Sequence, residues 1–293
     1  MANFIDVING GATVILDGGM GTLMQQLGGS LKSGENNLLH PQIVERAHRL
    51  YAEAGSDAIT SNTFSLNAAY AAKQGEDKQK TEDALAAALE IAATVCDGKL
   101  FLLGDIGPSG EMLAPLGKGD PEQLYEAFCR QAELMAAYPL DAFLIETVFD
   151  LKEAQIILRA CLDIAPQIPV LLSLTFSSLK KGGCTMMGNS AAQIAAAAAQ
   201  QGAAAVGANC GDLTPADYAQ VIASMRAACE LPLLIQPNAG KPQRQGGEII
   251  YSLAAAEFAQ EMASCYAAGA RLLGGCCGTT PEHIAALAAR YKG

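Results

Sequence analysis

Arg271-Leu272-Leu273-Gly274-Gly275-Cys276-Cys277-Gly278-Thr279-Thr280-Pro281-Glu282 contains one complete strand-to-helix passage. A short apolar run breaks into glycine, and a Thr-Pro-Glu helix start follows. The same order recurs through the chain. Strand-like apolar runs lie at 12–17, 57–60, 100–105, 141–146, 169–175, 203–208, 231–236 and 271–274. Helical patterns separate them, at 42–54, 82–96, 121–138, 151–164, 191–201, 215–229, 253–268 and 282–291. Continuous apolar runs suit strands buried on both faces, and alternation with helices implies a parallel sheet. Eight such units in 293 residues predict an α/β fold, a closed (β/α)8 barrel, rather than an open sheet. No low-complexity linker divides the chain, so one domain over 1–293 is expected.

Composition limits the function classes. Hydrophobic residues make up 51% of the chain, ample for a core. No run is apolar enough to span a membrane, and the N-terminus lacks a secretory signature. A net charge of −11 argues against a nucleic-acid partner. Nine cysteines without a disulfide-scaffold pattern fit a reducing cytoplasm, the expected location.

Adjacent cysteines on a regular strand point to opposite faces. The glycines around Cys276 and Cys277 let the backbone leave that geometry, so both sulfurs can turn toward one point. Zinc takes tetrahedral thiolate, and a catalytic site uses three protein ligands with a fourth position open. Cys210, in Gly207-Ala208-Asn209-Cys210-Gly211, is the candidate third sulfur, because it too sits where an apolar run breaks. The competing readings are inert core thiols or a disulfide. Cys184 lies in the loop after the fifth strand and is a rival ligand. Cys96, Cys129, Cys161, Cys229 and Cys265 fall in helical patterns and read as packing residues.

Active sites of this fold form on the loops at the C-terminal ends of the strands. Cys210 follows strand six and Cys276-Cys277 follow strand eight. The other polar breaks lie on the same face: Asp17-Gly18-Gly19-Met20-Gly21-Thr22, Ser61-Asn62-Thr63-Phe64, Gly107-Pro108-Ser109-Gly110, Glu146-Thr147 and Gln236-Pro237-Asn238-Ala239-Gly240. In these motifs and in the two cysteine stretches the chain resembles the homocysteine S-methyltransferase family, in particular the homocysteine-binding barrel of cobalamin-dependent methionine synthases. The resemblance implies that Cys210, Cys276 and Cys277 bind Zn2+ and that the metal binds the substrate thiol. Coordination deprotonates a thiol at neutral pH, and three protein thiolates keep the metal from quenching its nucleophilicity. The implied reaction is attack of homocysteine sulfur on an electrophilic methyl group, giving methionine, with no protein nucleophile.

By the same resemblance Glu146 receives the substrate ammonium and Asp17, with its glycine loop, shapes the pocket. The structural alternatives are a turn or helix cap for Asp17 and an ion pair across the barrel mouth for Glu146. Asn209 and Asn238 are expected to hydrogen-bond substrate or a ligand. Thr63 and Asn62 are expected to do the same or to cap the following helix. Asp105 is expected to be a hydrogen-bond hub without a catalytic role, and His40, His48 and His283 to be surface or cap residues. Gly18-Gly19-Met20-Gly21 lacks the spacing of a phosphate loop.

The family's methyl donors are methylcobalamin, S-methylmethionine and betaine, and the loops around Asn238 and Cys276 look closest to the corrinoid branch. The chain carries neither a folate-binding barrel nor the DxHxxG cobalamin-ligand signature. A methylcorrinoid is therefore expected in trans, on a corrinoid protein or domain. A second class of reading is a non-catalytic zinc-bearing docking subunit for such a protein. A Schiff-base aldolase is disfavoured, since no strand-like run carries a lysine inside it or at its C-terminal end.

Overall fold

The computed structural model describes residues 2–30, 32–246 and 248–292. Its strands are β1 (Val14–Ile15), β2 (Ala58–Thr60), β3 (Phe101–Ile106), β4 (Ala142–Val148), β5 (Val170–Leu174), β6 (Ala205–Asn209), β7 (Leu233–Gln236), β8 (Gln243–Gln245), β9 (Glu248–Ile250) and β10 (Ala270–Leu273). Eight of them form one parallel sheet in the order β1-β10-β7-β6-β5-β4-β3-β2, while β8 and β9 form a separate antiparallel hairpin in the loop after β7. Helices separate the strands, and this nearly closed ring is the (β/α)8 barrel read from the sequence.

The ring is incomplete only between β1 and β2, where no ladder forms among the described residues. Side-chain carboxylates take over there. Asp57 Oδ2 accepts from the Ile15 amide at 2.8 Å, and the Asp57 amide donates to the Ile15 carbonyl at 2.6 Å. Higher in the seam, Asp17 accepts from Thr60 twice, from N to Oδ2 and from Oγ1 to Oδ1, both at 2.8 Å. Asp17 is thus a staple between strands, not the cap of the next helix, whose N-cap is Gly19 without a side-chain bond.

Strand residues alternate between two apolar layers. Outward side chains such as Ile59, Leu102, Ile145 and Leu172 pack against the helices. Inward ones (Ala58, Leu103, Leu144, Leu171, Leu234 and Leu272 among them) fill the barrel, and helix Phe4–Asn9 contributes Phe4 and Ile8 to the same cluster. The period of two then places Thr60, Asp105, Glu146, Ser173, Asn209 and Gln236 in the next inward layer, at the C-terminal mouth. An apolar floor under a polar mouth follows from this register.

Two expectations need correction. His48 is fully buried on the inner face of helix Pro41–Glu53, with neither ring nitrogen bonded, and burial pushes its pKa down to about 4. Its helical spacing from Val44 and Tyr51 decides this, so it is not a surface or cap residue. Asp105 is not a side-chain hub either. Its backbone makes the bonds, accepting from Thr63 Oγ1 at 2.6 Å and donating to Ser61 Oγ at 3.1 Å, whereas Oδ1 has no partner. His283 is a cap residue as expected, paired with Thr280 at the start of helix Pro281–Tyr291.

Candidate metal and substrate site

Cys210 ends β6 in the left-handed region at φ 57°. A non-glycine residue holds that conformation only where its surroundings enforce it. Here the Cys210 amide donates to the Gln236 carbonyl at 3.1 Å, and Tyr218 Oη donates to the Cys210 carbonyl at 2.5 Å. The Cys276-Cys277 turn is tied as tightly. The Cys276 amide donates to Pro237 O at 2.9 Å, and Cys277 O accepts from the Ala239 amide at 3.0 Å. Thr279 Oγ1 donates to Cys276 O at 2.7 Å and accepts from the Gly19 amide at 2.9 Å, and Tyr51 Oη donates to Thr279 O at 3.0 Å. Gly278 sits at φ 77°, and a Cβ there would lie 2.3 Å from Tyr251 Cβ, so only glycine fits beneath this tyrosine.

These turns bring the three sulfurs within 4.8 Å of one another, with Cys276 and Cys277 Sγ 3.9 Å apart. Zinc–sulfur bonds of about 2.3 Å give a tetrahedral edge of about 3.8 Å, so the donor set fits zinc in spacing and in chemistry. Hydrogen bonds from Cys210 and then Cys276 push Cys277 down to about 3, while bonds to Cys210 and Cys277, with burial, push Cys276 well up. A cation held between the three sulfurs would favour the thiolate form of all of them. Cys184 is apart from it, buried, with its sulfur bonded to Lys180 O at 3.1 Å.

The sulfurs open on a cavity of about 370 Å³ at the barrel mouth. Asp17, Asp105, Glu146, Thr147, Gln236 and the glycine loop 18–21 line it, and among the described residues no lysine, arginine or histidine does. Asn209, fully buried, arranges one wall. Its Nδ2 donates to Glu146 Oε2 at 2.8 Å and to Thr147 Oγ1 at 2.7 Å, and its Oδ1 accepts from Thr147 N at 3.0 Å and Ser173 Oγ at 2.8 Å. Thr147 is held at φ 60° by these bonds.

Three buried carboxyls close together resist ionising. Burial raises Asp17 to about 7 against its two Thr60 bonds. Burial, then Asp17 and Cys277, raise Glu146 to about 8. Burial, then Glu146 and Asp17, push Asp105 well above the usual carboxylate range. Asp105 Oδ1 and Gln236 Oε1 are buried without partners. Such atoms are rare in a folded protein, and at a cavity wall they mark places for a ligand's donors.

Of the residues read from sequence, Cys210, Cys276, Cys277, Asp17 and Glu146 line this cavity and Asn209 braces it. Glu146 makes no ion pair among the described residues, which removes the alternative of a bridge across the mouth. Thr63 and Asn238 do not line the cavity. Thr63 supports the Asp105 backbone, and Asn238 Nδ2 ties the β7 loop to Gly211 O at 2.8 Å, leaving its buried Oδ1 unpartnered. Neither Thr63 nor Asn62 caps the following helix, since Asn67 does. Gln236 and Tyr251 were not singled out from the sequence, and Asp105 was read as a hub rather than as a carboxyl facing the cavity. For Asp105 and Gln236 the available signal was a polar residue two positions after an inward apolar one.

Comparison with known proteins agrees with this geometry. Residues 14–291 match the profile of the homocysteine S-methyltransferase family. The chain belongs to that family. Methionine synthases of Mycobacterium leprae (strain TN) and Mycobacterium tuberculosis (strain ATCC 25618 / H37Rv) are each 31% identical to it over 291 residues. The alignments cover 93% of this chain but 24% of those proteins, so the chain spans about a quarter of their length. The homocysteine methyltransferase MmuM from Escherichia coli, in its metallated form, superposes with a TM-score of 0.81 at 23% identity. The match covers 97% of this chain and 98% of that one, confirming the barrel fold.

Proposed function

We propose that this chain is a homocysteine-binding barrel domain that presents the homocysteine thiolate to a methyl donor, giving methionine. The observation that carries the reading is the meeting of three sulfurs and three buried carboxyls in one cavity. Cys210, Cys276 and Cys277 would hold zinc, which when bound supplies the charge that keeps a substrate thiol ionised at neutral pH. Glu146 receives the substrate ammonium, steadied by Asn209. Asp105, whose Oδ1 has no protein donor, is the second acceptor for it, and Thr63 fixes the backbone that carries Asp105. Asp17 closes the seam, and a bound ammonium nearby would favour its ionised form. Asn238, which does not line the cavity, would act on the site through the loop it ties to Gly211.

For the donor we favour a methylcorrinoid, methylcobalamin or a relative, carried by a separate protein or domain. Two observations support it: the likeness to methionine synthases, and a set of exposed apolar side chains on the βα loops. Leu39, Leu116, Met186 and Ile249 are 57%, 63%, 74% and 57% exposed. Large apolar groups exposed on several loops at the same end of the barrel suit a macromolecular partner better than solvent. The second reading is a cationic small donor such as S-methylmethionine or betaine, favoured by the absence of any basic residue from the cavity wall. A cytoplasmic location suits free thiols. Among the described residues no helix is long and apolar enough to cross a membrane.

The test is methionine formation by zinc-replete protein from homocysteine with, in turn, free methylcobalamin, a methylated corrinoid protein, S-methylmethionine and betaine. The corrinoid reading expects turnover with the first two only, slowed by Met186→Glu when the donor is protein-borne. Turnover with either small cation alone would replace it. Zinc and homocysteine binding without turnover by any donor would favour a docking subunit.

A further inference from the structure

A second cavity, of about 170 Å³, lies outside the barrel between helices Ala68–Gln74, Lys78–Cys96 and Pro121–Met135. Its walls are aliphatic, chiefly Leu66, Ala71, Leu85, Ala127 and Leu134. Two buried polar side chains break them, Thr81, whose Oγ1 is bonded to Asp77 O at 3.0 Å, and Gln131. Gln131 is 2% exposed, and both its Oε1 and its Nε2 lack any partner. A buried amide with neither atom bonded costs roughly 1–3 kcal/mol per lost partner unless something meets it. Four charged residues complete the lining. Arg130 is engaged by Glu82 at 2.9 Å, and Glu76 by Lys32 at 3.4 Å. Lys78 is 73% exposed and its nearest carboxylate, Glu82, is 4.0 Å away.

We propose that this cleft is a binding site for an aliphatic α-amino acid, its side chain among the leucines and alanines and its charged end among Lys78, Glu76 and Glu82. Size agrees, because a cavity of about 150 Å³ accommodates a six-carbon ring. Gln131 meets the polar atom of a thioether or the backbone of the ligand, and Lys78 the carboxylate. The site stands back to back with the catalytic cavity. Leu66 lines the cleft, and Phe64, two residues earlier, lines the catalytic cavity while its carbonyl accepts from Gly107 N at 3.1 Å. An occupant pressing on Leu66 therefore bears on the segment 61–66 that forms the wall of the active cavity. The occupancy of the cleft does not depend on zinc or on the identity of the methyl donor, so its test is separate from that of the proposed function.

The experiment is calorimetric titration of the full-length protein with L-norleucine, which has no thiol or thioether. Wild type and Glu146→Gln, altered only in the catalytic cavity, are expected to bind it alike. Ala72→Leu fills the cleft from an exposed helix position that leaves the core untouched, and Gln131→Leu removes the amide. Each is expected to weaken binding about tenfold, the effect of one lost buried hydrogen bond or a blocked site. Absence of binding to wild type overturns the proposal. So does unchanged affinity in Ala72→Leu and Gln131→Leu, or loss of binding in Glu146→Gln alone, which would put the amino acid in the catalytic cavity.

Discussion

Replacing Asn209 by alanine removes four hydrogen bonds at once, to Glu146, to Ser173 and twice to Thr147. The residue is 0% exposed, so water does not replace them. At a net of about 1 kcal/mol each, and with Thr147 left in a left-handed conformation that costs about 1–3 kcal/mol when unsupported, the loss is roughly 5–7 kcal/mol. That is a large share of the ~5–15 kcal/mol that holds a domain folded. Urea denaturation of the metal-free protein reads this directly, as a lower midpoint at unchanged slope. The same change frees the Glu146 carboxylate, so the KM for homocysteine should rise more than kcat falls, and zinc content should stay near the wild-type level because the sulfurs lose only the weak 4.0 Å contact from Asn209 Nδ2 to Cys276 Sγ. Asn209→Asp keeps the size but sets a carboxyl oxygen against Glu146, and should weaken homocysteine binding at least as much. A loss under about 1 kcal/mol, together with an unchanged KM, would refute the placing of Asn209 as the brace of the substrate site.

Wild-type protein is expected to retain one zinc per chain after dialysis, and Cys210→Ala, Cys276→Ala and Cys277→Ala to fall to background by elemental analysis; full retention by any of them would remove that sulfur from the ligand set. Gly19→Ala places a Cβ 2.5 Å from Cys276 O and should cut zinc affinity about tenfold to a hundredfold in competition with a chromophoric chelator, by shifting the cysteine turn. The metal-free protein should lose stability as pH rises from about 4 to about 8, because folded Asp17 (to about 7) and Glu146 (to about 8) keep protons that the unfolded chain has released. This contribution is fully present below the unfolded carboxylate values and gone above the folded ones. Urea midpoints against pH would check it, with Glu146→Gln expected to flatten the upper part of the fall.

The barrel was legible because each strand is a continuous apolar run bounded by glycine or a helix start, a local pattern that sequence displays. All eight runs became strands within a few residues of their expected ends. The elements that were not read, helix Phe4–Asn9 and the hairpin Gln243–Gln245 with Glu248–Ile250, are short additions with little periodicity of their own. His48 was misplaced because a histidine says nothing by itself about whether its helix face is turned inward; Val44 and Tyr51 at helical spacing carried that information.

The site divides along the same line. Residue types and their order along the chain sufficed to place Cys210, Cys276, Cys277, Asp17 and Glu146 at one end of a barrel, since that end is where every strand stops. Which polar groups are already bonded to the protein was beyond the sequence, because their partners lie 36 to 63 positions away on neighbouring strands. Tertiary structure alone turned Asp17 into a seam staple, spent all the bonds of Asn209 on its neighbours, and left Asp105 Oδ1 and Gln236 Oε1 open to the cavity. A local pattern tells the chain where to fold, but hydrogen bonds saturate, and only the assembled ring decides which ones remain for a ligand.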